Sequence, residues 1–171
     1  MSGAGRLAVL TVSDRCAAGA MVDTAGPAVV ELASQRLGLS LSEHACVADG
    51  IDPVREQIEG WLSEADPPHL ILTVGGSGFG PRDVTPEATA ALIDRPAPQL
   101  LELARCRALP TTPHAYASRG IAGIAGRSLI INLPGSKRGA TETLGYLLDV
   151  LPHILSVLRD PATPHPGPGI E

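Results

Sequence analysis

The sequence predicts an α/β fold, a three-layer sandwich in which helices cover both faces of a mainly parallel sheet. Short apolar runs, typical of strands buried on both faces, alternate along the chain with segments that have helical periodicity. Aromatic residues make up only 2% of the 171 residues, so the core must be built from Val, Ile, Leu and Ala. Polar, glycine-rich stretches follow several predicted strands, which is where such sheets bind ligands.

Four segments have the composition of strands. They are RLAVLTVS from residue 6, LSLSEHACV from residue 39, HLILTV from residue 69 and SLIINLP from residue 128. Three of them are almost continuously apolar, which predicts interior strands. LSLSEHACV alternates, with Leu39, Leu41, Ala45 and Val47 on one face, and this predicts a half-exposed strand near the sheet edge.

Five segments have helical patterns. They cover residues 24–37, a stretch from Asp52-Pro53, a stretch from Thr85-Pro86, residues 98–109 and residues 140–158, the last with a bend or restart at Pro152. Asp52 and Thr85 each precede a proline, so each is predicted to be an N-cap with the proline as the first helical residue. Residues 110–127 form a long polar, glycine-rich stretch with no predicted element.

Length and charge bound the class of protein. The chain fits one domain over residues 1–159, followed by a tail over residues 160–171 whose four prolines and two glycines predict flexibility. The formal net charge of −5 argues against a general nucleic-acid binder. No segment has the roughly 20 apolar residues of a membrane span, and three widely spaced cysteines argue for reduced thiols and against a zinc site. We therefore expect a cytoplasmic protein without a membrane or nucleic-acid partner.

Four polar loops follow predicted strands and carry groups suited to an anion or its metal. They are SDR at 13–15, VADG at 47–50, GGSGFGPRD at 75–83 and PGSKRG at 134–139. Glycine lets backbone N–H groups converge on phosphate oxygens, and a helix start adds its positive end. The G-x-x-x-x-G-K-[ST] motif is absent and Pro81 breaks G-x-G-x-x-G, which argues against the standard nucleotide-binding motifs.

Each of these features also has a purely structural interpretation. A glycine-rich loop can be a plain connection, Asp83 can cap the helix at Thr85, Asp49 can be a turn residue, and Ser118 can be an ordinary loop hydroxyl. Asp83, however, would repel an anion bound by the adjacent glycines unless a cation lies between them. A metal role would explain the glycines and the carboxylate together.

Taken together, TVSDR, GGSGFGPRDVTPEAT, SRGIAGIAG, LIINLPGS and LLDVLPHIL resemble the molybdenum cofactor biosynthesis family, which includes the bacterial MogA and MoaB proteins and the G domain of gephyrin. The resemblance runs from about Leu7 to Leu158. It implies a compact α/β molybdopterin-binding fold that is commonly trimeric. It also implies adenylylation of molybdopterin by ATP with Mg²⁺, which gives adenylyl-molybdopterin and pyrophosphate.

The resemblance implies which residues form the site. Asp83 matches the essential aspartate of the family's RDVTP stretch, and Asp49 matches the aspartate before the second helix; both are implied as catalytic residues and Mg²⁺ ligands. The implied substrate- and nucleotide-binding residues are Ser13, Asp14, Arg15, Gly75, Gly76, Ser77, Gly78, Arg82, Glu87, Ser118, Arg119, Asn132, Pro134, Gly135, Ser136 and Lys137. The chain departs from the family pattern at Ser77, where threonine is more usual, and at Lys137, where relatives often have a proline.

Phosphate chemistry is consistent with this activity. The terminal phosphate of molybdopterin has a second pKa of about 6, so it is mostly a dianion at neutral pH and needs no general base. Bringing it to a nucleotide requires a metal, amide donors and cationic side chains. Two alternatives stay open: a molybdopterin-binding or scaffold paralogue without adenylyl transfer, and another phosphate-ligand enzyme on a similar core. Other molybdenum cofactor biosynthesis proteins are the expected protein partners.

Overall fold

The computed structural model describes residues 5–160 and residue 162. The strands are β1 (Arg6–Val12), β2 (Ser40–Val47), β3 (Leu70–Val74), β4 (Arg95–Pro96), β5 (Ala122–Ala125) and β6 (Ser128–Leu133). The α-helices are α1 (Asp14–Ala17), α2 (Ala25–Leu37), α3 (Ile51–Leu62), α4 (Thr85–Ala90), α5 (Pro98–Ala108), α6 (Lys137–Gly145) and α7 (Leu151–Arg159), and a 3₁₀ helix covers Pro113–Ala117. Apart from Asp160 and Ala162, the tail predicted for residues 160–171 lies outside the described residues.

The strands form one sheet in the order β2-β1-β3-β6-β5-β4. β2, β1, β3 and β6 run parallel, whereas β5 pairs antiparallel with β6, and β4 pairs antiparallel with β5. Every residue of β3 and β6 is buried, as expected for interior parallel strands. The predicted α/β fold with a mainly parallel sheet is confirmed.

Helices cover the sheet on both faces. On one face, α2, α5, α6 and α7 pack on strand residues such as Leu72 and Ile131. On the other face, α3 and α4 pack on Ile71 and Ile130. Adjacent strand residues therefore enter different cores, because side chains alternate in direction along a strand. The result is the predicted three-layer arrangement.

β2 lies at the sheet edge, as its alternating sequence predicts. The predicted burial of Leu41 is wrong, since this side chain is 44% exposed. The register between β1 and β2 shifts after Leu41, and such a bulge changes which face the residues on either side of it occupy. Ala45 and Val47, beyond the bulge, pack against the core beneath α3.

Two helices begin without the caps predicted for them. α3 begins at Ile51, one residue before Asp52, whose carboxylate instead lies 3.4 Å from the Arg55 guanidinium. α4 begins at Thr85 with Val84 as its N-cap, and the buried Thr85 hydroxyl has no hydrogen-bond partner in the described part of the chain. Both N-cap predictions are wrong because proline is tolerated throughout the first helical turn and does not fix the start to one residue.

The sequence patterns do not predict β4 or β5. Both are short, and β5 lies within the glycine-rich stretch 110–127. A Cβ on Gly123 would overlap the Ile93 side chain, so this glycine permits the close approach of the β4 region. The restart of the last helix near Pro152 is confirmed, whereas α6 begins at Lys137 and not at residue 140.

The cysteines and the helix lengths bear on two expectations from composition. Cys16, Cys46 and Cys106 are free thiols, as their odd number and wide spacing predict. Over residues 5–160, no helix is long and apolar enough to cross a bilayer.

Candidate active site

The candidate site lies at the edge where the parallel strands end. β2, β1, β3 and β6 are neighbours and point the same way, so the loops that follow them meet. From β1 the chain moves to β2 on one side and then to β3 on the other. Ligands bind at such a switch point in open α/β sheets.

The turn after β3 brings backbone against backbone. Gly75 has a φ of 107° and Gly76 a φ of 63°, values that other residues rarely adopt. A Cβ on Gly75 would overlap the carbonyl oxygen of Val12, and a Cβ on Gly135 would lie 3.2 Å from Gly75 Cα. The loops after β1, β3 and β6 therefore meet without side chains between them.

Asp83 ends the glycine-rich loop and folds back over it. Its Oδ2 accepts a hydrogen bond from the Gly80 N–H at 2.8 Å. α4 has no side-chain cap, so Asp83 does not cap this helix. Its other carboxylate oxygen accepts no hydrogen bond from the residues that the structure describes. The half-buried carboxylate is thus held at one oxygen and available at the other.

Arg119 braces the same loop from the segment before β5. Its Nε donates to the carbonyl oxygen of Gly78 at 2.7 Å, its Nη2 donates to that of Asp83, and its backbone N–H donates to that of Ser77. Its Nη1 donates to the carboxylate of Glu87 on α4. This hydrogen bond lowers the pKa of Glu87 from its ordinary value.

Asp14, Asp49 and Arg82 form a hydrogen-bonded cluster at the ends of β1 and β2. Arg82 donates to both carboxylate oxygens of Asp14, at 2.7 and 2.8 Å, and to the backbone carbonyl of Asp49. The backbone N–H of each aspartate donates to the carboxylate of the other. The side-chain hydrogen bonds from Arg82 hold the pKa of Asp14 below its ordinary value.

Two serines cap helices that start at this edge. Ser13 Oγ accepts from the Cys16 N–H at 3.3 Å in α1, and Ser136 Oγ accepts from the Gly139 N–H at 3.0 Å in α6. Lys137, the first residue of α6, is exposed. The positive end of α6 and this ammonium group both favour a bound anion.

Two cavities open side by side at this edge. The carboxylate cavity, of 660 Å³, is lined by residues 11–16, 21–25, 49, 74–76, 83 and 135–137. The hydroxyl cavity, of 550 Å³, is lined by residues 76–78, 83, 108, 111, 112, 114, 115, 117, 118, 134–136, 138, 139, 142, 143 and 146. Gly76, Asp83, Gly135 and Ser136 line both, so the Asp83 carboxylate lies between two spaces that are each large enough for a small molecule.

The structure brings most of the implied site residues to these cavities. Four line neither cavity: Arg82, Glu87, Arg119 and Asn132. The first three make the bracing contacts described above. Asn132 is 1% exposed, and its amide donates to Thr73 Oγ1 within the sheet at 2.9 Å.

A polar cluster that the sequence motifs do not predict lies beside the carboxylate cavity. Thr11 Oγ1 donates to Asp23 Oδ2 at 2.5 Å, and His44 Nε2 lies 3.0 Å from the same hydroxyl. Asp23 Oδ1 also accepts from the N–H groups of Ala25 and Gly26 at the start of α2. An aspartate just before a helix is a recognised N-terminal signal that could have identified Asp23.

One wall of the hydroxyl cavity is also formed by residues that the sequence motifs do not predict. Thr111 and Thr112 follow α5, and Thr143 and Tyr146 come from the end of α6. These residues meet only because α5 packs beside α6. No local sequence signal identifies them.

The carboxylate oxygens in the carboxylate cavity are suitable ligands for Mg²⁺. Asp49 and Asp83 both line it, and each has one carboxylate oxygen that accepts no hydrogen bond from the described residues. Mg²⁺ is commonly held by one or two carboxylates together with waters and substrate phosphates. Within residues 5–160, no three His, Cys, Asp or Glu side chains form a self-sufficient metal site. A metal held here would therefore take further oxygens from a substrate or from water.

Comparison with known families identifies the family of this chain. Residues 8–153 match the family described as a probable molybdopterin binding domain, that of the molybdenum cofactor biosynthesis proteins. The chain belongs to this family. The resemblance seen in the sequence motifs is therefore confirmed.

Two proteins similar to this chain differ in how much of their own length the chain covers. The molybdopterin adenylyltransferase of Helicobacter pylori (strain J99) is 35% identical over 153 residues, which are 89% of this chain and 86% of that protein. The molybdenum cofactor synthesis protein cinnamon of Drosophila melanogaster is 37% identical over 152 residues, which are 89% of this chain and 25% of cinnamon. The chain thus spans about a quarter of the length of that relative.

A solved structure of the family has the same fold. The molybdopterin biosynthesis enzyme MoaB of Thermus thermophilus superposes with a TM-score of 0.84 and 43% identity. The superposition covers 90% of this chain and 96% of that chain. The molybdopterin-binding fold is therefore confirmed together with the family.

Proposed function

We propose that this member of the molybdenum cofactor biosynthesis family is a molybdopterin adenylyltransferase. One observation carries the proposal: two cavities share a wall that contains Asp83. A group transfer between two substrates needs adjoining sites that hold the reacting atoms close together. The name of the Helicobacter pylori relative supplies the substrate, molybdopterin, and the adenylyl group.

The charged and polar residues of the two cavities support the assignment of one substrate to each cavity. The carboxylate cavity combines Asp49 and Asp83 with Lys137 at the start of α6, which suits a triphosphate with Mg²⁺. The hydroxyl cavity offers neutral donors and acceptors, among them Ser77 and Ser118, whose Oγ atoms lie 3.1 Å apart, and its charged residues Arg138 and Glu142 pair with each other. Such groups match the hydrogen-bonding edges of a pterin. ATP would occupy the first cavity and molybdopterin the second.

The reaction joins two phosphates at the shared wall. An oxygen of the molybdopterin phosphate forms a bond to the α-phosphorus of ATP, the bond from that phosphorus to the bridging oxygen breaks, and pyrophosphate leaves. When bound, Mg²⁺ neutralises phosphate oxygens and aligns the two substrates. Asp49 and Asp83 would hold it, while Lys137 would offset part of the remaining negative charge.

We also propose that the protein acts as a homotrimer in the cytoplasm, with ATP and molybdopterin as substrates and other molybdenum cofactor biosynthesis proteins as partners. Membership of the family supports this assembly. We expect sedimentation equilibrium at micromolar concentration to give three times the 17.6 kDa chain mass. A monomer alone would contradict the trimer.

A reconstituted reaction tests the function. We expect the purified chain with molybdopterin, ATP and Mg²⁺ to form pyrophosphate and adenylylated pterin in equal amounts. Omission of any one component should abolish both products. Molybdopterin binding without pyrophosphate release would instead identify a binding or scaffold protein.

A further inference from the structure

We infer that Arg119 is a positioning residue, which holds the Gly78–Asp83 loop and with it the Asp83 carboxylate at the boundary of the two cavities. The inference rests on the proposed function. The family resemblance implies that Arg119 is a binding residue. Its contacts in the fold indicate a different role.

Most of the Arg119 donors are used within the protein. A guanidinium has five N–H groups. Nε donates to Gly78, Nη2 donates to Asp83, and Nη1 donates to Glu87. The side chain is 33% exposed and lines neither cavity. Little of this cation remains available to a substrate phosphate.

The loop depends on such an attachment. Gly78 and Gly80 give it a large conformational freedom to lose on folding. Gly80 and Asp83 bond to each other in both directions inside the loop, and the Arg82 side chain ties the loop to Asp14 and Asp49. Among the described residues, the contact from outside the loop to Asp83 itself comes from Arg119.

Glu87 orients the guanidinium. It lies on α4, directly after the loop, and accepts from Nη1 and, at 3.4 Å, from Nη2 of Arg119. The planar guanidinium of Arg119 thereby connects the loop, α4 and the segment before β5. A lysine could satisfy only part of this arrangement, because its ammonium is a single point donor without a fork.

Three substitutions separate a positioning role from phosphate binding. Arg119→Lys keeps the charge but loses the fork, and Arg119→Gln loses both. Arg6→Gln is the control, because Arg6 is similarly exposed, at 29%, and pairs with Glu64 at the opposite end of β1. We expect kcat to fall about a hundredfold in both Arg119 variants. The KM values for ATP and molybdopterin should change by less than about threefold, since binding contacts remain. Arg6→Gln should leave both parameters unchanged.

A measurement without substrate tests the loop directly. We expect the Gly80 N–H to exchange with solvent about tenfold faster in both Arg119 variants than in the unsubstituted protein or in Arg6→Gln, because the loop opens more often. Because amide hydrogen exchange needs no turnover, this measurement tests the role of Arg119 even if the protein does not transfer adenylyl groups. If Arg119→Gln does not fold, Glu87→Gln replaces it, with an expected fall in kcat of about tenfold at constant KM.

Three results would overturn the inference. They are a near-normal kcat in Arg119→Lys, a raised KM with unchanged kcat in either variant, and unchanged Gly80 exchange. The first two would indicate that the charge of Arg119 binds a phosphate. Absence of adenylyl transfer in the unsubstituted protein would overturn the proposed function and leave the exchange result to decide the role of Arg119.

Discussion

The carboxylate cavity and the hydroxyl cavity share a wall but differ in the chemistry of their other walls. Around the first, Asp14 and Asp49 are held by Arg82 and by backbone N–H groups. Around the second, hydroxyls such as Ser118 come from loop and helix ends. We therefore expect substitutions in one cavity to affect one substrate and substitutions of Asp83 to affect the reaction of both.

Asp83→Asn should have the largest effect. The amide oxygen can still accept from the Gly80 N–H, so the loop is kept while the charge is lost. We expect turnover to fall about a hundredfold or more, comparable with losing a major electrostatic contact. Molybdopterin binding, measured by fluorescence titration, should persist. Near-normal turnover at saturating Mg²⁺ and ATP would contradict the catalytic assignment.

Gly26→Ala tests the support of the carboxylate cavity. A Cβ at this position would overlap side-chain atoms of Thr11, Asp23 and His44. We expect a loss of about 1–3 kcal/mol in the free energy of unfolding, as for other overpacked sites. Gly60→Ala is the control, since a Cβ there meets nothing within 4 Å in α3. It should stabilise by about 0.5–1 kcal/mol in denaturant titrations.

Asp49→Asn should weaken Mg²⁺ binding in the carboxylate cavity. Its amide oxygen can accept from the Asp14 N–H, so the loop contact remains. We expect the Mg²⁺ concentration for half-maximal turnover to rise about tenfold, with the KM for molybdopterin unchanged. A rise in that KM with an unaltered Mg²⁺ requirement would show that the two cavities are assigned in the wrong order.

Ser118→Ala should affect the molybdopterin side, and its effect should be smaller than that of Asp49→Asn. The substitution removes the Ser77 contact and the acceptor for the Gly120 N–H. We expect the KM for molybdopterin to rise about fivefold, since a net hydrogen bond contributes about 1 kcal/mol. The Mg²⁺ requirement should not change. Ser63→Ala, at the end of α3, is the control and should alter neither value.

Arg82→Gln should raise the pKa of Asp14, because it removes the hydrogen bonds that Arg82 donates to this carboxylate. In the folded protein Arg82 lowers the pKa of Asp14, so their pairing stabilises the fold at neutral pH and is lost as pH falls through that lowered value. We expect the Asp14 pKa, measured by carboxyl ¹³C NMR, to rise in the variant. Asp149, whose pKa Arg107 lowers, should not move. An unmoved Asp14 would contradict the pairing.

The interior strands were predictable because they are buried on both faces and therefore continuously apolar, as in LILTV and SLIINL. β5 was not, because its AGIA sequence pairs with β6 through the backbone and small side chains. The loop positions of Asp49 and Asp83 were predictable from strand order. The hydroxyls of Thr111 and Tyr146 were not, since packing of α5 beside α6 unites them.

The sequence identifies the interior parallel strands, the loops that carry glycine and the loops that carry charge. These properties depend on residue type and local spacing. The role of each charge depends on the fold: Arg119 holds a loop, Arg82 pairs with Asp14, and Asp83 lies at the boundary of two cavities. The physical reason is that a charge is a property of one residue, whereas its partner is set by distances across the fold.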